Sequence, residues 1–133
     1  MADAPDERMA RGMATAAKVF QPSPGGGPGF QYPPEIAGDW GSFSVSTVLG
    51  DVWSRPGLEL KYRAVATISA LTVLGRTEQL KAYINGGLNV GLTKEEICEV
   101  IFQMAVYGGF PAAITAFGIA NEVFEARDAP SDS

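Results

Sequence analysis

The stretch Glu78–Pro111, EQLKAYINGGLNVGLTKEEICEVIFQMAVYGGFP, decides the fold because it reads as helix, tight turn, helix, tight turn. Gly91 stands where a left-handed residue closes the first helix at little steric cost. Thr93 with Glu96 three residues on makes a capping box: the hydroxyl accepts from an orphan amide and the glutamate reaches back. The second helix then carries Ile97, Val100, Ile101 and Met104 at i, i+3, i+4 and i+7, one apolar stripe. Cys98, Phe102, Ala105 and Val106 form another stripe beside it, more apolar surface than one neighbouring helix covers. Gly108-Gly109 breaks this helix, and Pro111 opens the next at a first-turn position.

Outward from this pair, every other segment reads as helix or connector. Residues 5–20 predict an amphipathic helix with Met9, Met13, Ala16 and Phe20 on one face. Gln21–Gly38 holds five prolines and repeated glycines, which forbid regular structure. We read it as a surface connector; the competing reading is a covering loop whose Phe30 and Tyr32 wall a pocket. Asp39–Trp53 has helical spacing of its apolar residues, and Pro56-Gly57 ends it. Asp51 and Arg55 stand at i, i+4, the spacing of an ion pair. Leu58–Leu74 loses all charge after Arg63, so Ala64–Leu74 is expected to be an enclosed central helix. There Thr67, Ser69 and Thr72 can bond back to carbonyls four residues earlier. Thr77 is expected to cap the next helix, which turns Leu80, Tyr83, Ile84 and Leu88 inward. A last helix from Pro111 to about Ala126 mixes small residues with Ile114, Phe117, Val123 and Phe124. Residues 127–133 form a polar tail. No stretch alternates like a strand, so the fold class is all-α: one domain of about six helices, with the N-terminal helix over 1–20, the connector over 21–38 and the helical core over 39–126.

Composition narrows the function. The chain has 133 residues, 46% of them hydrophobic and only 19% charged. So apolar a small chain is expected to hide surface in an oligomer. A net charge of −5, without a Lys/Arg cluster, argues against nucleic acid. The N-terminus carries acids and no apolar core of a signal peptide, and Ala64–Gly75 is too short to span a bilayer. Cys98 is the single cysteine and there is no histidine, so disulfide and metal sites are not expected and the thiol reads as inert packing. These features together predict a cytoplasmic protein without membrane contact.

The ordered set VWSRPGL (Val52–Leu58), ALTVLGR (Ala70–Arg76), GGLNVGLTKEEICEVIFQMAVYGGFPAA (Gly86–Ala113) and AFGIANEVF (Ala116–Phe124) resembles the carboxymuconolactone decarboxylase family. That family is all-helical and also includes the alkylhydroperoxidase D-like enzymes. The resemblance implies a ring-shaped homo-oligomer, a trimer or a hexamer, and in the decarboxylase branch a reaction without any cofactor. Such a reaction needs an anchor for the substrate anion, a donor at the carbonyl oxygen where charge develops, and a proton source. The peroxidase branch needs a C-x-x-C pair with a histidine, which this chain lacks.

Five residues are candidates for the site. Arg55, in the turn the family shares, is an anchor for an anionic small-molecule substrate, or equally an arginine that pairs Asp51 and fixes the turn. Asp51 is a proton shuttle if apolar company (Trp53, Val48) raises its pKa, or a solvated helix-terminal carboxylate. Tyr83 stands where the family generally has histidine in an E-L-x-x-H arrangement. It is either the oxyanion donor or a packed aromatic. Trp53 is expected to line the substrate site, and Tyr107 is expected to be mainly structural with a possible place on the wall. The reading that follows is a cofactor-independent decarboxylase-like enzyme acting on a small cyclic lactone or keto acid. The alternatives are a diverged isomerase or cyclase of secondary metabolism, and a non-catalytic oligomeric binding protein.

Overall fold

The computed structural model describes residues 5–21 and 30–130, with the backbone alone for Pro5 and Asp6. The centre of the connector, residues 22–29, and the last three residues of the tail lie outside the described residues. Among the described residues six α-helices and one π-helical segment occur: α1 (Pro5–Val19), α2 (Pro34–Ser44), the π segment (Val45–Trp53), α3 (Leu60–Leu74), α4 (Thr77–Asn89), α5 (Lys94–Gly108) and α6 (Phe110–Asp128).

The deciding stretch folds as its local chemistry dictates. Thr93 Oγ1 accepts from the Glu96 amide at 3.0 Å, and Glu96 Oε1 accepts from the Thr93 amide at 2.9 Å, so the box is closed in both directions. Gly91 has φ +111°, where a side chain would be strained, and the Leu92 amide reaches back to the Gly87 carbonyl at 2.9 Å. Pro111 sits in the first turn of α6. Ile97 and Ile101 of α5 pack with Ile68, Leu80, Ile84 and Val123 in a core from which water is excluded.

Three local expectations give way to tertiary context. The helix expected from Asp39 begins at Pro34, since proline at the first turn costs no hydrogen bond. Past Ser44 its winding widens to the π form, which brings residues five apart toward the same face. Val45 and Gly50 are five apart, and both touch α1: a Cβ at Gly12 would meet the Val45 carbonyl oxygen at 2.5 Å, and one at Gly50 the Arg8 carbonyl oxygen at 2.4 Å. Helix α3 is not enclosed. Ala64, Ile68 and Thr72 are buried, while Val73 and Leu74 stay exposed, so its uncharged sequence covers one buried face and one bare face. Ser69 does bond back to the Val65 carbonyl, at 2.8 Å, but the buried Thr72 hydroxyl has no partner among the described residues. Thr77 is the first residue of α4 rather than its cap; Arg76 holds the cap position without a side-chain bond.

Candidate active site

Helices α1, α2 and the π segment frame an open cleft of about 540 Å³ with Tyr83 of α4 in its wall. α1 contributes Met13, Phe20 follows directly on its end, α2 contributes Trp40, and the π segment contributes Val48 and Leu49. Phe30 and Tyr32, just before α2, complete the wall. The competing sequence reading of these two aromatics is therefore the correct one for their position, although the connector's centre is not described. None of the described residues lining the cavity carries a charge.

Tyr83 is held there by packing on both sides. Its neighbours Leu80 and Ile84 anchor α4 in the core, and α4 lies close under α1 because Gly86 faces Val19. A Cβ at Gly86 would stand 2.8 Å from Val19 Cγ1. Asn89 Nδ2 donates to the Val19 carbonyl at 2.8 Å, tying the end of α1 to the end of α4. From α6, Arg127 donates to the side-chain oxygens of Asn85 at 3.1 Å and Asn89 at 3.3 Å, which fixes α4 from its other side. The Tyr83 ring meets Phe20 edge-on at 5.3 Å and lies tilted 34° against Trp53 at 5.6 Å. Burial, and secondarily the nearby Tyr32, push its phenol above the usual pKa near 10. At neutral pH it is a hydrogen-bond donor and not a base.

The other candidates are placed differently. Trp53 is buried behind Tyr83 and does not line the cavity. Arg55 is exposed in the turn after the π segment, where its carbonyl accepts from Arg63 at 3.0 Å. Tyr107 is 75% exposed on α5. Asp51 pairs with Arg8, whose Nη2 stands 2.6 Å and Nε 3.0 Å from the carboxylate, and Arg11 approaches to 3.6 Å. The i, i+4 pairing with Arg55 is thus replaced by a partner 43 residues away. A raised pKa is likewise overturned: the hydrogen bond from Arg8 holds the carboxyl below its ordinary value, against a smaller upward push from burial. A bidentate guanidinium outcompetes a distant apolar neighbour. The sequence reading puts Met13, Ala16 and Phe20 on one apolar face but not at a cavity, and Arg8 as the partner of Asp51 is absent from it. Gly12 beside the Arg8/Arg11 pair is the one signal that α1 docks closely.

Because the Asp51 pKa is depressed in the folded chain, its pairing stabilises fully above the unfolded carboxylate value of about 4 and is lost as pH falls further. The carboxylate side chain is 38% exposed, so salt screens the pair. We expect Asp51→Asn to melt below wild type at pH 7, with the gap shrinking as pH falls below about 4 and narrowing in high salt. Thermal melts across pH check this; a gap that does not shrink as pH falls below about 4 contradicts it.

The family profile of the carboxymuconolactone decarboxylases matches residues 39–122. This chain, with its all-α bundle, belongs to that family. It is similar to a 4-carboxymuconolactone decarboxylase of Acinetobacter baylyi, 39% identical over 65% of each chain. An uncharacterized 15.0 kDa protein from the nqo9-nqo10 intergenic region of Paracoccus denitrificans is 42% identical over 59% of this chain and 60% of its own. A nitrosuccinic acid decarboxylase of Metarhizium robertsii is 37% identical over 50% of this chain and 47% of its own. The matches therefore span less than two thirds of each of these relatives. Among the described residues no helix is long and apolar enough to cross a membrane.

Proposed function

We propose that this protein is a cofactor-independent decarboxylase-like enzyme, acting on a small keto or lactone acid in the cavity beside Tyr83. The names of two relatives, each a decarboxylase, support the reaction class. One observation carries the assignment to this cavity: a half-buried, protonated phenol in the wall of an otherwise uncharged, apolar chamber. In the reaction the bond between the ring carbon and the carboxylate breaks, carbon dioxide leaves, and the electron pair moves onto the adjacent carbonyl oxygen. Tyr83 donates a hydrogen bond to that developing oxyanion. A proton from solvent then restores the carbon. Apolar walls such as Leu49 and Phe20 strip water from the carboxylate, whose charge disperses as the bond breaks. In this proposal Asp51 holds α1 to the π segment, and Arg55 and Tyr107 take no part. The test is carbon dioxide release from a panel of β-keto and lactone acids; no release from any of them, with the fold intact, removes the proposal.

Self-assembly belongs to the same reading. Phe102 and Val106 of α5 are 72% and 76% exposed, and Phe110 and Ile114 of α6 are 69% and 70% exposed. Covering each such side chain is worth about 2 kcal/mol, enough for a few of them to hold subunits together. In this reading copies of this chain cover these side chains, and the number, a trimer or a hexamer, is the one the family resemblance implies. Light scattering is expected to give that mass for wild type and a monomer for the double variant Phe102→Glu, Val106→Glu. A monomeric wild type at micromolar concentration overturns it.

A further inference from the structure

The walls of the cavity also say what its occupant is made of, an inference that rests on Tyr83 being the polar end of the site. We propose that the substrate has a largely apolar body of about two rings, with no charge beyond the carboxylate it loses, and that its neutral ketone or lactone product stays bound with its carbonyl oxygen at Tyr83.

Size is the first argument. A chamber of about 540 Å³ falls within the roughly 300–1,000 Å³ that houses drug-sized ligands, far beyond one compact polar ring. The second is the shortage of polar partners. Ser44 lines the cavity, but its hydroxyl donates to the Gly41 carbonyl at 3.3 Å. That leaves the indole N–H of Trp40 and the phenols of Tyr83 and Tyr32, the two phenols lying near enough for Tyr32 to oppose ionisation of Tyr83. Two phenolic donors suit one carbonyl oxygen. A second carboxylate would meet no cation among the described lining residues and would be buried unpaired. The third is the mouth. Tyr32, Trp40 and Phe43 are chained edge-to-face at 6.1 Å spacings, yet all three remain substantially exposed. A flat apolar ring laid on Trp40 and Tyr32 would cover what the chain leaves open.

The experiment titrates the full chain with two probes, α-tetralone (a neutral bicyclic ketone) and isophthalate (a compact dicarboxylate), and reads tryptophan fluorescence. α-Tetralone is expected to bind at least about tenfold tighter than isophthalate, because the site has an oxyanion donor and no cation. Val48→Trp, which fills the chamber, is expected to weaken α-tetralone about tenfold, with melting temperature measured alongside. Trp40→Arg, at the rim, is expected to narrow or invert the preference between the probes. Isophthalate binding as tightly as α-tetralone, neither probe binding, or wild-type affinity in a folded Val48→Trp each overturns the proposal. Binding is read separately from carbon dioxide release. α-Tetralone binding without turnover of any acid leaves this proposal standing and removes the enzymatic one; turnover without α-tetralone binding does the reverse.

Discussion

Gly50→Ala is expected to destabilise the chain by about 3 kcal/mol, although alanine in place of helical glycine ordinarily stabilises by about 1 kcal/mol. Contact decides the sign. The added Cβ would stand 2.4 Å from the Arg8 carbonyl oxygen, a backbone atom that cannot swing aside as a side chain could. Relief requires moving α1, and α1 carries one side of the cavity together with the Arg8 and Arg11 pairings to Asp51. The neighbouring contact is as close, since Gly12 faces the Val45 carbonyl, so no compensating shift along the groove is free. Gly118→Ala is the control: nothing lies within 4 Å of the new carbon in the middle of α6, and the ordinary stabilisation is expected there. Denaturant unfolding of both variants checks the pair. Equal or higher stability for Gly50→Ala would show that α1 does not sit where it is described.

Tyr83→Phe is expected to lower kcat about a hundredfold while leaving KM within a few fold, since the hydroxyl matters most when charge reaches the carbonyl oxygen. The fold is expected to tolerate the change. The ring keeps its edge contact with Phe20 and its tilted contact with Trp53, and among the described residues the hydroxyl has no side-chain hydrogen bond to give up. Because the phenol titrates above its usual value, the rate is expected to show no loss from Tyr83 between pH 7 and about pH 9. Carbon dioxide release and melting temperature, measured together, separate a lost donor from a lost fold. An unchanged kcat in a folded Tyr83→Phe would take the phenol out of the mechanism and leave the cavity's apolar character as a binding feature.

What the sequence by itself determined about this protein is what acts within four residues along the chain. The Thr93–Glu96 box, the positive φ of Gly91 and Pro111 in the first turn of α6 are each closed by near neighbours, so their partners are visible in the order of residues, as is the spacing of Ile97 and Ile101 on one face. The all-α class and the family follow from that run. What only the tertiary structure decided is every pairing that crosses the chain. Asp51 had a plausible partner four residues on, and lost it to Arg8, which arrives from another helix with two nitrogens aimed at one carboxylate. Whether Tyr83 faced a cavity or simply filled the core depended on how closely α1 could approach α4, a distance set by Gly86 against Val19. The apolar face of α3 looked enclosed because hydropathy counts side chains and not neighbours, and one chain alone leaves Leu74 bare. Local chemistry writes the helices; the chamber exists because glycines on facing helices let two backbones come within contact of each other.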